Sequence, residues 1–147
     1  MTIHERPAAV ARIRGGRSTP GISGTIKFYQ KRGGILVVAS VNGLPWDSAT
    51  GIFALHIHEG TMCAGEGFSA AGGHFNPNHK LHPSHAGDLP PLFGCSGRAY
   101  LAVLTNRFTI GDVLGRTVVI HRNPDDFHTQ PAGNAGDKIA CGVICPV

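Results

Sequence analysis

Histidine and aspartate are concentrated in one glycine- and proline-rich stretch of the chain, residues 73–88. The residues of metal-binding type in this stretch are His74, His79, His82, His85 and Asp88. Further histidines occur upstream at His56 and His58 and downstream at His121. Burying so many ionisable side chains costs free energy unless something binds them, and the usual binder is a metal ion. The stretch therefore predicts a fold organised around a metal site.

Outside this stretch, the sequence predicts short β-strands joined by turns. Alternating or β-branched apolar segments are separated by Gly, Pro and Asn turn signals, and no segment has the periodicity of a helix. The predicted strands are residues 8–14, 22–30, 35–41, 52–58, 89–92, 98–105, 117–121 and 139–144. This pattern indicates an all-β fold, an antiparallel sandwich or barrel of about eight strands.

Two long loops interrupt the strand pattern, at residues 59–88 and 123–138. Loops of this length are uncommon inside a compact domain unless they have their own source of order. A bound metal ion would supply that order in the first loop, which contains the histidine-rich stretch.

Length and composition bound the class of protein. The chain has 147 residues, enough for one domain with a substantial core, and we expect residues 1–147 to form a single domain with a flexible segment at residues 1–6. The formal net charge is +4, but Lys and Arg are scattered, so no nucleic-acid partner is expected. No apolar run is long enough to span a membrane or to form a signal peptide. We therefore expect a cytoplasmic protein, with an exported mature form as the alternative.

His56 and His58 are two residues apart on a predicted strand, so both imidazoles point to the same face and can meet one ion. An isolated pair of this kind is more often a solvent-facing strand edge. Here the apolar neighbours Phe53, Leu55 and Ile57 indicate a half-buried strand, which favours metal ligation.

His82, His85 and Asp88 follow a three-residue spacing in the first loop. Together with His74 they form a set of three histidines and one carboxylate, which suits a closed tetrahedral zinc site. The alternative is a solvated, disordered histidine-rich loop, but four residues of ligand type recur within fifteen positions. No HExxH motif is present, so a zincin-type protease is not supported.

Three other histidines are less informative. His121 ends a predicted strand and, considered alone, is more often a buried core histidine than a ligand. His79 and His128 fit neither ligand set, and we interpret them as loop histidines.

The four cysteines, Cys63, Cys95, Cys141 and Cys145, allow three pairings in two disulfides. Their spacing does not form a CxxC zinc motif, and the sequence alone does not choose among the pairings.

Several of these segments, taken together, resemble the copper–zinc superoxide dismutase family. The resemblance is carried by residues 56–59, 73–77, 85–89 and 133–144, which read HIHE, GHFNP, HAGDL and GNAGDKIACGVI. It extends over nearly the whole chain, from the first strand to Ile144. Each motif alone is moderately specific, and their occurrence in one order at compatible spacings is highly specific.

The resemblance implies a Greek-key β-barrel with two metal sites. Copper would be held by His56, His58, His74 and His121. Zinc would be held by His74, His82, His85 and Asp88, so that His74 is an imidazolate shared by the two ions. Asp125 matches the family aspartate that hydrogen-bonds one copper ligand and one zinc ligand, here His56 and His82. Cys63 and Cys141 match the family disulfide, whereas Cys95 and Cys145 have no counterpart and could pair or stay reduced.

The implied activity is the conversion of superoxide to oxygen and hydrogen peroxide by copper redox cycling, with His74 carrying a proton. Lys138 stands where the family has an arginine that guides the anionic substrate, and it keeps the charge without the planar fork. Ala132 and Ala54 replace a channel threonine and a glycine that are frequent in the family. The alternative function is a copper- and zinc-binding module with little turnover, like the dismutase-like domain of copper chaperones. A homodimer is compatible with the resemblance, since family members dimerise through different faces or stay monomeric.

Overall fold

The eight predicted strands are all present in the computed structural model, which describes residues 4–147. Within that range the strands are β1 (Ala9–Gly15), β2 (Ser23–Lys31), β3 (Gly34–Asn42), β4 (Ile52–His58), β5 (Asp88–Phe93), β6 (Ala99–Thr105), β7 (Thr117–His121) and β8 (Lys138–Pro146). The flexible segment expected at residues 1–6 falls partly outside the described residues. Residues 4–6 are exposed, and the Glu5 carboxylate lies 2.5 Å from Lys31 Nζ.

The strands form one antiparallel sheet in the order β5-β4-β7-β8-β1-β2-β3-β6. The edge strands β5 and β6 come close to each other, so the sheet curls into a nearly closed barrel. The chain leaves β3 to enter β4 on the other side of the sheet, and it leaves β6 to enter β7, which gives a Greek-key path. The predicted all-β antiparallel fold is confirmed.

Period-two alternation places one face of each strand in the barrel interior. In β1, Ala9, Ala11 and Ile13 are buried while Arg12 and Arg14 are exposed. Across the β1–β2 ladder, Ala9 pairs with the buried Phe28 and Ala11 pairs with the buried Ile26. Each large apolar side chain buried in this way contributes roughly 1.5–3 kcal/mol.

Strand β4 differs from this pattern because it is buried on both faces. Phe53, Leu55 and Ile57 belong to the barrel core. His56 and His58 lie on the opposite, outer face and are nevertheless buried. The two long loops cover this outer face, so the strand is more buried than the half-buried strand that its sequence indicates.

Two short helical segments were not predicted. The helix α1 (Ile110–Val113) lies in the β6–β7 connection and begins with a capping box, in which Thr109 and Asp112 bond reciprocally. A 3₁₀ segment at Glu66–Ala71 lies in the first long loop. Both are too short to produce a readable helical period. No helix within the described residues is long and apolar enough to cross a membrane.

A disulfide between Cys63 and Cys141 ties the first long loop to β8. The pairing agrees with the one that the family resemblance implies. Cys141 is buried and packs with Ala71 and Val119 beneath the loop. Cys95 and Cys145 are free thiols at exposed positions.

Replacing Cys63 by serine should lower the free energy of unfolding of the metal-free protein by about 2–4 kcal/mol. The reason is that the disulfide joins residues 78 apart, and opening a loop of that length raises the entropy of the unfolded chain. Urea unfolding under non-reducing conditions measures the loss. Cys95→Ser is the matched control and should leave the free energy of unfolding unchanged. Equal stability of the two variants would contradict the expected role of the disulfide.

Candidate metal centre

The first predicted ligand set meets at the outer face of β4 and the end of β7. His56 and His58 project from β4, and His121 ends the neighbouring strand β7. His74 reaches the same place from the first loop, where its backbone bridges to that of His58. Each of the four offers a ring nitrogen, and these nitrogens all lie within 4.8 Å of one another. His58 Nε2 and His121 Nε2 are 3.1 Å apart.

In three of these rings, a hydrogen bond to one nitrogen leaves the other nitrogen facing the cluster of four histidines. His58 Nδ1 lies 2.8 Å from the Gly72 carbonyl oxygen, and His121 Nδ1 lies 3.1 Å from that of Gly136. His56 Nε2 lies 2.8 Å from Asp125 Oδ2. The opposite nitrogens, Nε2 of His58 and His121 and Nδ1 of His56, therefore converge. Four imidazole nitrogens are a donor set that suits copper.

The second predicted set is built by three histidines of the first loop and by Asp88, the first residue of β5. His74 Nδ1 lies 2.9 Å from Asp88 Oδ1 and 3.2 Å from His85 Nδ1. His82 Nδ1 lies 3.1 Å from Asp88 Oδ2, without the alignment of a hydrogen bond. The four ligand atoms lie within 4.8 Å of one another. Three imidazole nitrogens and one carboxylate oxygen suit a tetrahedral zinc site.

The imidazole of His74 belongs to both sets. Its Nδ1 faces Asp88 and His85, whereas its Nε2 faces the side of His56, with which its ring makes a 3.9 Å centroid contact. Three buried ring nitrogens have no hydrogen-bond partner within the described residues: His56 Nδ1, His74 Nε2 and His82 Nδ1. Unsatisfied buried polar atoms are costly, and a metal ion on each side of His74 would satisfy all three. The residues present therefore fit two adjacent ions.

Asp125 connects the two sets from behind. Its Oδ2 lies 2.8 Å from His56 Nε2 and its Oδ1 lies 2.7 Å from His82 Nε2. Burial raises the pKa of this carboxyl, but hydrogen bonds from His56 and His82 outweigh burial and hold the pKa well below its usual range. The carboxylate thus stays ionised and fixes the orientation of one ring in each set.

Position 133, in the second long loop, has room only for glycine. Its φ is +68°, and a Cβ there would lie 2.1 Å from Asp125 Oδ1 and 2.6 Å from His82 Nε2. Only glycine allows the backbone to cover the Asp125–His82 contact so closely.

Lys138 begins β8 and pairs with His121 across the β7–β8 ladder. It borders an open cavity of about 890 Å³ between the β1–β2 turn and the disulfide-bearing loop. The charged residues that line this cavity are Arg17, Glu66, Asp137 and Lys138. Lys138 is half-buried, so its ammonium group can act on anions that enter the cavity.

Four other residues that the sequence analysis singled out are not part of either ligand set. His79 and His128 are exposed in the two long loops. Ala132 is half-buried, and Ala54 is fully buried within β4. Sequence reasoning missed the carbonyl groups of Gly72 and Gly136, because no residue type marks a backbone acceptor.

Comparison with known proteins agrees with this geometry. The family model described as copper/zinc superoxide dismutase matches residues 22–144 of the sequence. The chain belongs to the copper/zinc superoxide dismutase family. It is therefore an oxidoreductase that uses copper and zinc and acts on superoxide.

Relatives of this dismutase are found in several bacteria. It is 38% identical to a copper–zinc superoxide dismutase of Deinococcus radiodurans over 147 residues, covering 86% of this chain and 79% of that protein. It is 36% identical to the copper–zinc superoxide dismutase 2 of Aquifex aeolicus over 138 residues, covering 84% and 79%. The crystal structure of a dismutase-like protein from Bacillus subtilis superposes with a TM-score of 0.76 at 28% identity, covering 91% of this chain and 96% of that one.

Burial keeps the rings of His58 and His121 neutral in the absence of metal. It lowers the pKa of His58 from 6.5 to about 2, and the nearby His121 adds to the effect. Burial and the neighbouring His56 lower the pKa of His121 to about 3. Neutral imidazoles have free lone pairs, so at neutral pH these rings can accept a metal ion without first losing a proton.

The metal-free dismutase should become less stable as the pH falls. Between about pH 6.5 and pH 3 the unfolded chain protonates these two histidines while the folded protein does not, so the free energy of unfolding decreases with decreasing pH. Urea unfolding at about pH 7 and pH 4.5 measures the difference. His58→Gln should flatten the dependence, and His79→Gln should not. Equal free energies at the two pH values would contradict the neutral, buried state.

Proposed function

We propose that the dismutation of superoxide takes place at copper held by His56, His58, His74 and His121, beside zinc held by His74, His82, His85 and Asp88. The observation that carries this proposal is the buried His74 ring, which has one nitrogen toward each ligand set. Bound copper supplies alternation between two oxidation states, which zinc does not have.

The role of His74 follows from its two nitrogens. Nδ1 is held on the side of Asp88 and His85, so the ring keeps its position if Nε2 exchanges partners. Nε2 is the atom at which a proton can be held and then given to the product, since reduction of superoxide to hydrogen peroxide consumes protons. A ring with one fixed and one exchangeable nitrogen can therefore keep its position and still transfer a proton.

The other residues prepare the site for an anion. Gly72, Gly136 and Asp125 hold the three remaining copper-side rings with a nitrogen turned inward. Lys138 pairs with His121 across the β7–β8 ladder, so its positive charge lies beside a proposed copper ligand and should raise the encounter rate of a small anion. As a lysine, it offers a single charged group where an arginine would offer a bidentate fork.

His74→Ala should lose zinc and copper together and abolish dismutation. The variant removes one ligand from each set and takes away the hydrogen-bond partner of Asp88 Oδ1 on the zinc side. Elemental analysis after dialysis, followed by an activity assay, measures both effects. His79→Ala, in the same loop, is the matched control and should keep both metals. Full retention of zinc by the His74 variant would refute the shared ligand.

Lys138→Arg should raise kcat/KM, by up to about tenfold, because it adds one charge-assisted hydrogen bond to the substrate without changing the charge. Lys138→Ala should lower kcat/KM and weaken its dependence on ionic strength. Stopped-flow decay of superoxide at several salt concentrations measures these changes, with Lys27→Arg as the control. If the rate and its salt dependence are the same in all four proteins, Lys138 does not guide the substrate.

Three expectations stay predictions from the sequence: the homodimer, the absence of a nucleic-acid partner and the cytoplasmic location. Light scattering distinguishes a monomer of 15.4 kDa from a dimer of twice that mass.

A further inference from the structure

The short segment His82 to His85 contains two of the four proposed zinc ligands, and two distant side chains hold its backbone. Gln130, from the second long loop, bonds reciprocally to His82. Its Oε1 accepts from the His82 N–H at 2.8 Å, and its Nε2 donates to the His82 carbonyl at 2.7 Å. Arg107, from the β6–β7 connection, donates through Nη1 to the carbonyl oxygens of Pro83 at 2.7 Å and His85 at 3.2 Å.

These bonds give the segment the backbone hydrogen-bond partners that a neighbouring strand would otherwise supply. The His82–His85 segment has no regular secondary structure. Backbone groups that are removed from water require partners, and a side-chain amide offers one donor and one acceptor at the spacing of a peptide group. Gln130 therefore satisfies both backbone groups of His82 in the way that a paired strand satisfies a residue of a sheet.

The segment 125–130 of the second loop, which contains Gln130, also holds the His82 ring through Asp125. Asp125 Oδ1 lies 2.7 Å from His82 Nε2, while Gln130 holds the His82 backbone. With the backbone and one ring nitrogen fixed, the remaining nitrogen, Nδ1, has a defined position 3.1 Å from Asp88 Oδ2. The other oxygen of Asp125 lies 2.8 Å from His56 Nε2, so this part of the second loop positions a ligand in each set.

We propose that Gln130 and Arg107 act as a brace that positions the zinc ligands. Gln130 is the stronger of the two because it bonds both backbone groups of a ligand residue, His82, whereas Arg107 bonds only the carbonyl oxygen of one, His85. Both are positioning residues and touch no ligand atom of the zinc set. The inference rests on the proposed zinc set of His74, His82, His85 and Asp88. Loss of a partner that orients a metal ligand typically costs about 10–100-fold in metal affinity.

Gln130→Met tests the brace, since methionine has a similar length and no comparable hydrogen-bonding group. The dissociation constant for zinc, measured by competition with a chelator of known affinity, should increase by about tenfold or more. Gln30→Met is the matched control, because Gln30 also bonds to backbone carbonyls but lies on β2. Arg107→Met should show a smaller increase, with the exposed Arg12→Met as its control.

Cobalt(II) bound in place of zinc gives a second reading that a purely structural role would not change. Its visible absorption bands report the arrangement of the ligands, and they should shift in Gln130→Met but not in Gln30→Met. A residue that only stabilises the loop would lower the melting temperature and leave both the zinc affinity and the cobalt spectrum unchanged.

Hydrogen exchange of the zinc-loaded enzyme needs no variant. The His82 N–H should exchange slowly although it lies in a loop, because Gln130 accepts from it. Rapid exchange of this amide would overturn the brace.

His82→Ala separates failure of the brace from failure of the zinc assignment. If His82→Ala binds zinc as tightly as the unsubstituted enzyme, the ligand set is wrong and the brace falls with it. If His82→Ala loses zinc while Gln130→Met matches Gln30→Met in affinity and cobalt spectrum, the ligand set stands and the brace is overturned.

Discussion

The imidazole of His74 has one nitrogen in each of two groups of ligand atoms, and much of the surrounding structure serves to keep it there. Five other buried histidines surround this ring, which would be very costly for isolated polar groups. Two carboxylates reduce that cost: Asp88 faces the three rings of the zinc set, and Asp125 faces one ring of each set. The buried ring nitrogens that have no protein partner converge on the two places where a metal ion would satisfy them.

The barrel and the loops contribute differently to this centre. Strands β4 and β7 belong to a hydrogen-bonded sheet, so His56, His58 and His121 have positions that the core packing fixes. The zinc side includes the His82–His85 segment, which has no regular secondary structure and depends on contacts from other parts of the chain. These are the disulfide from Cys63 to β8, the Asp125 carboxylate, and the side chains of Gln130 and Arg107. In the proposed assignment, the sheet-built side would hold the redox-active ion, and the loop-built side keeps His74 in place.

The sequence predicted the fold well because strand alternation is a local signal. All eight predicted strands are present, and β4 begins and ends where its pattern does. The two ligand pairs with regular spacing, His56 with His58 and His82 with His85, could also be recognised locally. By contrast, His121 and the Cys63–Cys141 pairing came only from the family resemblance, since nothing in their own segments distinguishes them from His128 or Cys145. The Gly72 and Gly136 carbonyls, Gln130 and Arg107 act through contacts between residues far apart in the chain, which no local pattern encodes.

Anomalous X-ray diffraction from crystals loaded with copper and zinc tests the central claim most directly. Data collected on both sides of each absorption edge assign the two elements separately. We expect a copper peak next to Nε2 of His74 and a zinc peak next to its Nδ1, with the single ring between them. A His74 ring that contacts only one ion, or a copper ion held entirely by other residues, would contradict it.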